Sequence, residues 1–127
     1  MQNLAVVIDD DIDDIELMSE ALQIVDPTLK LATFLDGITA ITWLSNSNGT
    51  RPYLIFVDLN MQPLRGENVL LELRKQFADN ETHIVMYSTS MPKDVAQQLI
   101  RRGATSVFEK PNRFENYLTI LRKIMSS

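Results

Sequence analysis

An α/β domain built on a parallel sheet, with helices on both faces, is the fold class this sequence predicts, and three observations carry the prediction. Five short apolar runs, at residues 4–8, 29–34, 53–57, 84–87 and 105–108, are each followed by a segment with helical spacing, giving five βα units. No hairpin signal separates consecutive runs, so the strands return through helices and run parallel. Runs one, three and four (LAVVI, YLIFV, IVMY) are continuously apolar, as strands covered on both faces must be. LKLATF and TSVF carry polar residues, which marks runs two and five as edge strands.

The helices follow in order. Between Ile12 and Val25, apolar residues fall at 15, 18, 22 and 25 with 17, 21 and 24 beside them. Asp13, Asp14, Glu16 and Glu20 are expected to face outward, favoured by the positive end of the helix dipole. Asp36 can cap a second helix running through Leu44. Val69, Leu70, Leu73 and Phe77 stripe the third. The fourth has Ser90 as expected N-cap, Pro92 in its first turn, Arg101 and Arg102 in its last, and Gly103 at the left-handed position beyond the C-cap. In the fifth, Asn112 is the expected cap, and Phe114, Tyr117, Leu118, Leu121, Ile124 and Met125 form the core stripe. Residues 45–52 and 79–82 read as loops.

The chain of 127 residues, 45% hydrophobic and 23% charged, is long enough to bury a core as one domain spanning residues 1–127. Without cysteine it can form neither a disulfide framework nor a Cys-based zinc site. Twelve basic against 17 acidic residues leave a net charge of −5, which opposes a polyanionic partner such as nucleic acid. The opening apolar run stops at Asp9, and no run has the length of a membrane span. A cytoplasmic, membrane-free protein is expected.

In an open parallel sheet, ligands bind beyond the carboxyl ends of the strands. Strand one ends in Asp9-Asp10-Asp11, strand three in Asp58, strand four in Ser88-Thr89-Ser90 and strand five in Glu109-Lys110-Pro111. Carboxylates gathered on one edge repel, and two unit charges about 4 Å apart cost on the order of 4 kcal/mol at an effective dielectric near 20. A divalent cation offsets that repulsion, and Mg²⁺ suits a site offering one or two carboxylates, a carbonyl and waters. Lys110 adds a mobile positive charge able to pair with Asp58 or a phosphoryl group. A carboxylate beside a metal and an ammonium is a competent nucleophile for phosphoryl transfer, and the Ser88 hydroxyl could donate to the new phosphate.

These residues resemble the receiver domain of bacterial two-component response regulators, over nearly the whole chain. VVIDDD is similar to the first strand with its acid pair, Asp9 and Asp10, and LIFVDLNM to the third strand with its phosphoacceptor, Asp58. Ser88 lies within IVMYSTS, and Lys110-Pro111 supplies the Lys-Pro pair. The resemblance implies a flavodoxin-like (βα)5 sandwich of strand order 2-1-3-4-5, with edges at strands two and five. It also implies Mg²⁺ held by Asp10, Asp58 and the backbone carbonyl of Asn60, with Asp9 acting through water, and a cis peptide before Pro111. A sensor histidine kinase or phosphotransfer protein is the implied donor, a downstream effector protein the recipient of the signal. Such a stand-alone receiver is no enzyme beyond catalysing its own phosphorylation and dephosphorylation. Its kinase contact is expected at Asp11, Asp14 and Ile15.

The chain departs from the family at Gln62, where a Pro is usual and Pro63 comes one place late; at Thr89, larger than the usual Ala or Gly; and at Val107, where many receivers carry a switching aromatic. A switch without that ring is expected to work through the backbone of residues 88–93. The alternative from another class is an aspartate-nucleophile phosphohydrolase, in which DxD after the first strand would make Asp9 the covalent acceptor. Its cap domain has no room in this length, and Asp58 would have no role.

Overall fold

In the computed structural model, which describes residues 3–46, 51–78 and 81–126, strands and helices alternate throughout. The strands are β1 (Leu4–Ile8), β2 (Lys30–Phe34), β3 (Leu54–Asp58), β4 (His83–Ser88) and β5 (Ser106–Glu109). The helices are α1 (Ile12–Val25), α2 (Gly37–Ser45), α3 (Gly66–Gln76), α4 (Lys93–Arg101) and α5 (Phe114–Met125). All neighbouring strands pair in parallel, in the order β2-β1-β3-β4-β5. The expected fold and both edge strands are therefore found. The expected loops at 45–52 and 79–82 lie partly outside the described residues.

Because side chains alternate across a strand, each apolar run serves two cores. Val6, Ile8, Ile55 and Val57 pack with Leu44, Leu70, Leu73 and Leu99 on the side of α2, α3 and α4. Ala5, Val7, Phe56 and Tyr87 pack with Met18, Leu22 and Leu121 on the side of α1 and α5. Each fully buried aliphatic contributes roughly 1.5–3 kcal/mol over exposure, so the central strands hold the carboxyl edge of the sheet rigid. Three strands run one residue further than their apolar runs, so that Asp58 pairs with Tyr87, and Ser88 with Glu109, inside the ladder. The acceptor candidate is thus fixed by sheet hydrogen bonding and not carried on a free loop.

The helix ends agree with the sequence where a side chain caps and differ where the backbone decides. Asp36 accepts from the Thr39 N–H at 2.7 Å, as expected. Helix α4 starts behind Pro92, whose ψ of 151° is extended, so Ser90 is not its cap. The residue before a proline avoids the helical region, which keeps Met91 out of the helix, and its N–H donates to Glu109 Oε1 at 3.0 Å. Arg113, extended at φ −124° and ψ 139°, stands at the N-cap of α5 in place of Asn112. At the end of α4, Gly103 has φ +117°. Its N–H bonds Ile100 O at 3.1 Å while that of Ala104 bonds Leu99 O at 3.0 Å, the paired closure that a left-handed residue permits.

Arg74, which no periodicity marks, ties the layers together. It donates to Gly103 O at 2.7 Å, Thr82 O at 2.8 Å and Thr105 Oγ1 at 2.9 Å, joining α3 to the segments that feed β4 and β5. The expected cis bond before Pro111 is not found. Among the described residues the cis peptide is Gln62–Pro63, within the segment where the sequence departs from its family. The trans preference of an X–Pro bond is small, about 0.5–1 kcal/mol, so packing around each proline selects the isomer. No helix among the described residues is long and apolar enough to cross a membrane.

Candidate functional site

Three parallel strands deliver carboxylates to one place. Asp9 and Asp10 follow β1, Asp58 ends β3, and one oxygen of each lies within 4.8 Å of the others. Ser88 ends β4, and the Lys110 N–H bonds its carbonyl at 2.8 Å, which brings the segment after β5 onto the same edge. Asn60 Nδ2 donates to Ser88 Oγ at 2.9 Å, so a side chain two residues beyond Asp58 holds the hydroxyl expected to meet a phosphate.

Asp9 is fully buried and its oxygens are engaged by the protein. Oδ1 accepts from the Asp11 N–H at 3.0 Å, while Oδ2 accepts from Tyr87 Oη at 2.8 Å and lies 3.2 Å from Lys110 Nζ. Asp10 is exposed, with its carboxylate open to a ligand. Asp58 is 4% exposed, and Lys110 Nζ stands 3.6 Å from its Oδ1. The ammonium's shortest contact is to Asp14 Oδ2, at 2.7 Å.

Burial, then the charge of Asp9, push the Asp58 carboxyl up to about 7 against the opposing pull of Lys110. For Lys110 burial works to lower the pKa, but the hydrogen bond it donates to Asp14 and the charges of Asp9 and Asp58 outweigh it and hold the ammonium above its ordinary value. Burial and the neighbouring Asp9 raise Tyr87 well above its usual range, so it serves as a neutral donor. Two buried acids and an exposed one with a single ammonium among them fit a hard divalent cation, which would lower the cost of ionising Asp58 and leave coordination positions for phosphate oxygens.

The structure brings together Asp9, Asp10, Asp58, Asn60, Ser88 and Lys110, all of them marked by the sequence. It also corrects two readings and bears on the alternative. Asp14 does not face outward among solvated acids: it is half-buried and paired with Lys110. Ile15 is 7% exposed and packs in the α1/α5 core, so it offers no surface to a kinase, while Ile12 beside it is 59% exposed. Asp9 has its oxygens occupied by three donors, and the phosphohydrolase alternative, which needs it as an open nucleophile, finds no support. The Asp14–Lys110 pairing and the role of Tyr87 escaped the sequence reading. Asp14 stands in the first turn of α1, and its partner Lys110 lies 96 residues away, so no local spacing marks the pair. Tyr87 carries the one hydroxyl of the fourth apolar run and precedes Ser88.

Acids, a hydroxyl and an amine on the carboxyl edge of a 2-1-3-4-5 sheet define a class of α/β domains that gather ligands where the strand order reverses. Within that class the response regulator receiver domain model matches residues 5–122, and the chain belongs to this family. It is therefore a domain of two-component signalling, whose receivers are controlled by aspartate phosphorylation.

Among solved structures, it is similar to the phosphorylated cyanobacterial phytochrome response regulator RcpA, at 25% identity and TM-score 0.85 over 99% of this chain and 93% of that one. The Mn²⁺-bound response regulator Rcp1 matches at 24% identity and TM-score 0.81, over 98% of this chain and 92% of that one. The CheX–CheY–BeF3–Mg²⁺ complex of Borrelia burgdorferi matches in fold at 16% identity and TM-score 0.79, over 98% and 87%. Comparison with curated protein sequences gave no match.

Proposed function

We propose that Asp58 accepts a phosphoryl group from a sensor histidine kinase or a phosphotransfer protein in a phosphorelay, and that the domain, spanning residues 1–127, then signals by contact with an effector protein. The observation that supports this most is the placing of Asp58, fixed in β3, beside Asp9 and Asp10 and 3.6 Å from Lys110 Nζ. An Asp58 oxygen attacks phosphorus, the P–N bond to the donor's imidazole breaks, and the bonding pair leaves with that nitrogen. Mg²⁺, held by Asp10, Asp58 and the backbone carbonyl of Asn60 with Asp9 acting through water, would neutralise charge on the transferring group. Lys110 offers a donor to a phosphoryl oxygen, and Ser88, released from Asn60, offers another. Val107 is half-buried against the α2–α4 core and too short to swing like a ring, so the response falls to the backbone of residues 88–93, next to Ser88.

A titration with Mg²⁺ tests the assignment of ligands. Asp10→Asn is expected to weaken Mg²⁺ affinity by more than ~10-fold, the scale of losing a direct carboxylate ligand (about 1.4 kcal/mol). Asp9→Asn is expected to weaken it less, because Asp9 already serves Tyr87, Lys110 and the Asp11 N–H. EDTA should stop phosphoryl uptake from acetyl phosphate. Equal weakening by the two variants, or uptake indifferent to chelation, would contradict the reading.

A further inference from the structure

Lys110 divides its ammonium unequally. Nζ lies 2.7 Å from Asp14, 3.2 Å from Asp9 and 3.6 Å from Asp58. A lysine has three N–H donors, and the shortest contact goes to a carboxylate outside the acid cluster. The pair is largely withdrawn from water, with side chains 11% and 22% exposed, so the contact is not traded freely for solvent. Asp14 is also fixed. It stands in the first turn of α1, which Asp11 caps through the Asp13 N–H at 2.9 Å and which Met18 and Leu22 anchor in the core. Lys110 carries its charge on a flexible four-carbon stem. A change in the distance between them therefore falls mainly to the longer lysine stem.

We propose that Asp14 is a positioning residue that holds Lys110 back from the acceptor and so lowers the affinity of Asp58 for a phosphoryl group. The inference rests on Asp58 being the acceptor. A phosphoryl group there adds negative charge on the side where Lys110 makes its longest contact. To meet it, the ammonium must lengthen its bond to Asp14, and the work of doing so is subtracted from the gain at the phosphate. Asn at position 14 keeps the shape and an acceptor oxygen but not the charge, and the lysine is then free to move. Because Asp14 belongs to α1 and Lys110 to the segment before α5, the same exchange loosens a tie between these two helices on phosphorylation.

The experiment measures binding of beryllofluoride, a phosphoryl mimic, to the whole chain with Mg²⁺ present, by calorimetry. Asp13→Asn is the control: Asp13 is exposed, in the same helical turn, and its loss removes the same unit charge without touching Lys110. Asp14→Asn is expected to bind beryllofluoride on the order of fivefold tighter than wild type, the scale of a charge-assisted hydrogen bond only partly recovered. Asp13→Asn is expected to stay within about twofold, as a screened exposed charge should. Equal effects of the two substitutions, or weaker binding by Asp14→Asn, would overturn the clamp while leaving the acceptor in place. Failure of the wild type to bind beryllofluoride at all would overturn both.

Discussion

Asp58→Asn is expected to make the folded protein more stable at neutral and alkaline pH, and to flatten the dependence of that stability on pH. The Asp58 carboxyl rises from 3.8 to about 7 because burial, and then Asp9, disfavour its charge. An acid raised in the folded state stabilises fully below its unfolded pKa and loses that contribution as pH climbs through the folded one. For Asp58 the loss runs from 3.8 to about 7 and is complete above it. A shift of this size corresponds to up to about 4 kcal/mol. Asn removes the charge and keeps the volume, so denaturant unfolding at about pH 8 should show a gain of a few kcal/mol that vanishes near pH 4. Saturating Mg²⁺ should stabilise the wild type more than Asp58→Asn, which has lost a carboxylate ligand, since a ligand stabilises in proportion to how tightly the folded state binds it. A gain that is the same at both pH values would show that the strain does not come from the ionised Asp58.

Gly66→Ala is expected to damage both the fold and the site. Gly66 opens α3 against the backbone just beyond the acceptor, and its N–H bonds Leu59 O at 3.0 Å. A Cβ there would overlap the Asp58 carbonyl oxygen and stand 2.7 Å from Leu59 Cα, both main-chain atoms that no rotamer change can move. Overpacking of this kind costs typically ~1–3 kcal/mol and more where backbone must shift. The atoms displaced belong to the segment bearing Asp58 and Asn60, and misplacement by about 1 Å can cost on the order of 100-fold in rate. Gly37→Ala provides the comparison, because the Cβ there would meet a Val69 side-chain methyl and not main-chain atoms. Thermal unfolding and the rate of phosphoryl uptake should both fall much further for Gly66→Ala. Matching losses in the two variants would place the close approach elsewhere.

Much of this was legible in the sequence because the physics behind it is local. Continuous apolar runs and polar edge runs separated central from edge strands, the family resemblance supplied their order, and Asp9, Asp10, Asp58, Ser88 and Lys110 each follow or end one of those runs. What escaped depends on where separate segments meet. The starts of α4 and α5 are set by extended backbone at Pro92 and Arg113, where no side chain makes a capping bond to announce them. Asp14 looked like one more acid on a solvated helix face until β5 delivered Lys110 to it across 96 residues of sequence. Tyr87 looked like one more apolar residue of β4, yet its hydroxyl reaches Asp9, just after β1, past the intervening strand. Such long-range pairings leave no periodic trace.

The measurement that tests the central claim most directly is the mass of the intact protein after incubation with acetyl phosphate and Mg²⁺, followed by fragmentation to locate the added group. Wild type is expected to gain one phosphoryl group, on Asp58, and Asp58→Asn to gain none under the same conditions. Undiminished labelling of Asp58→Asn that is lost instead in Asp9→Asn would contradict the account, since it would make Asp9 the acceptor.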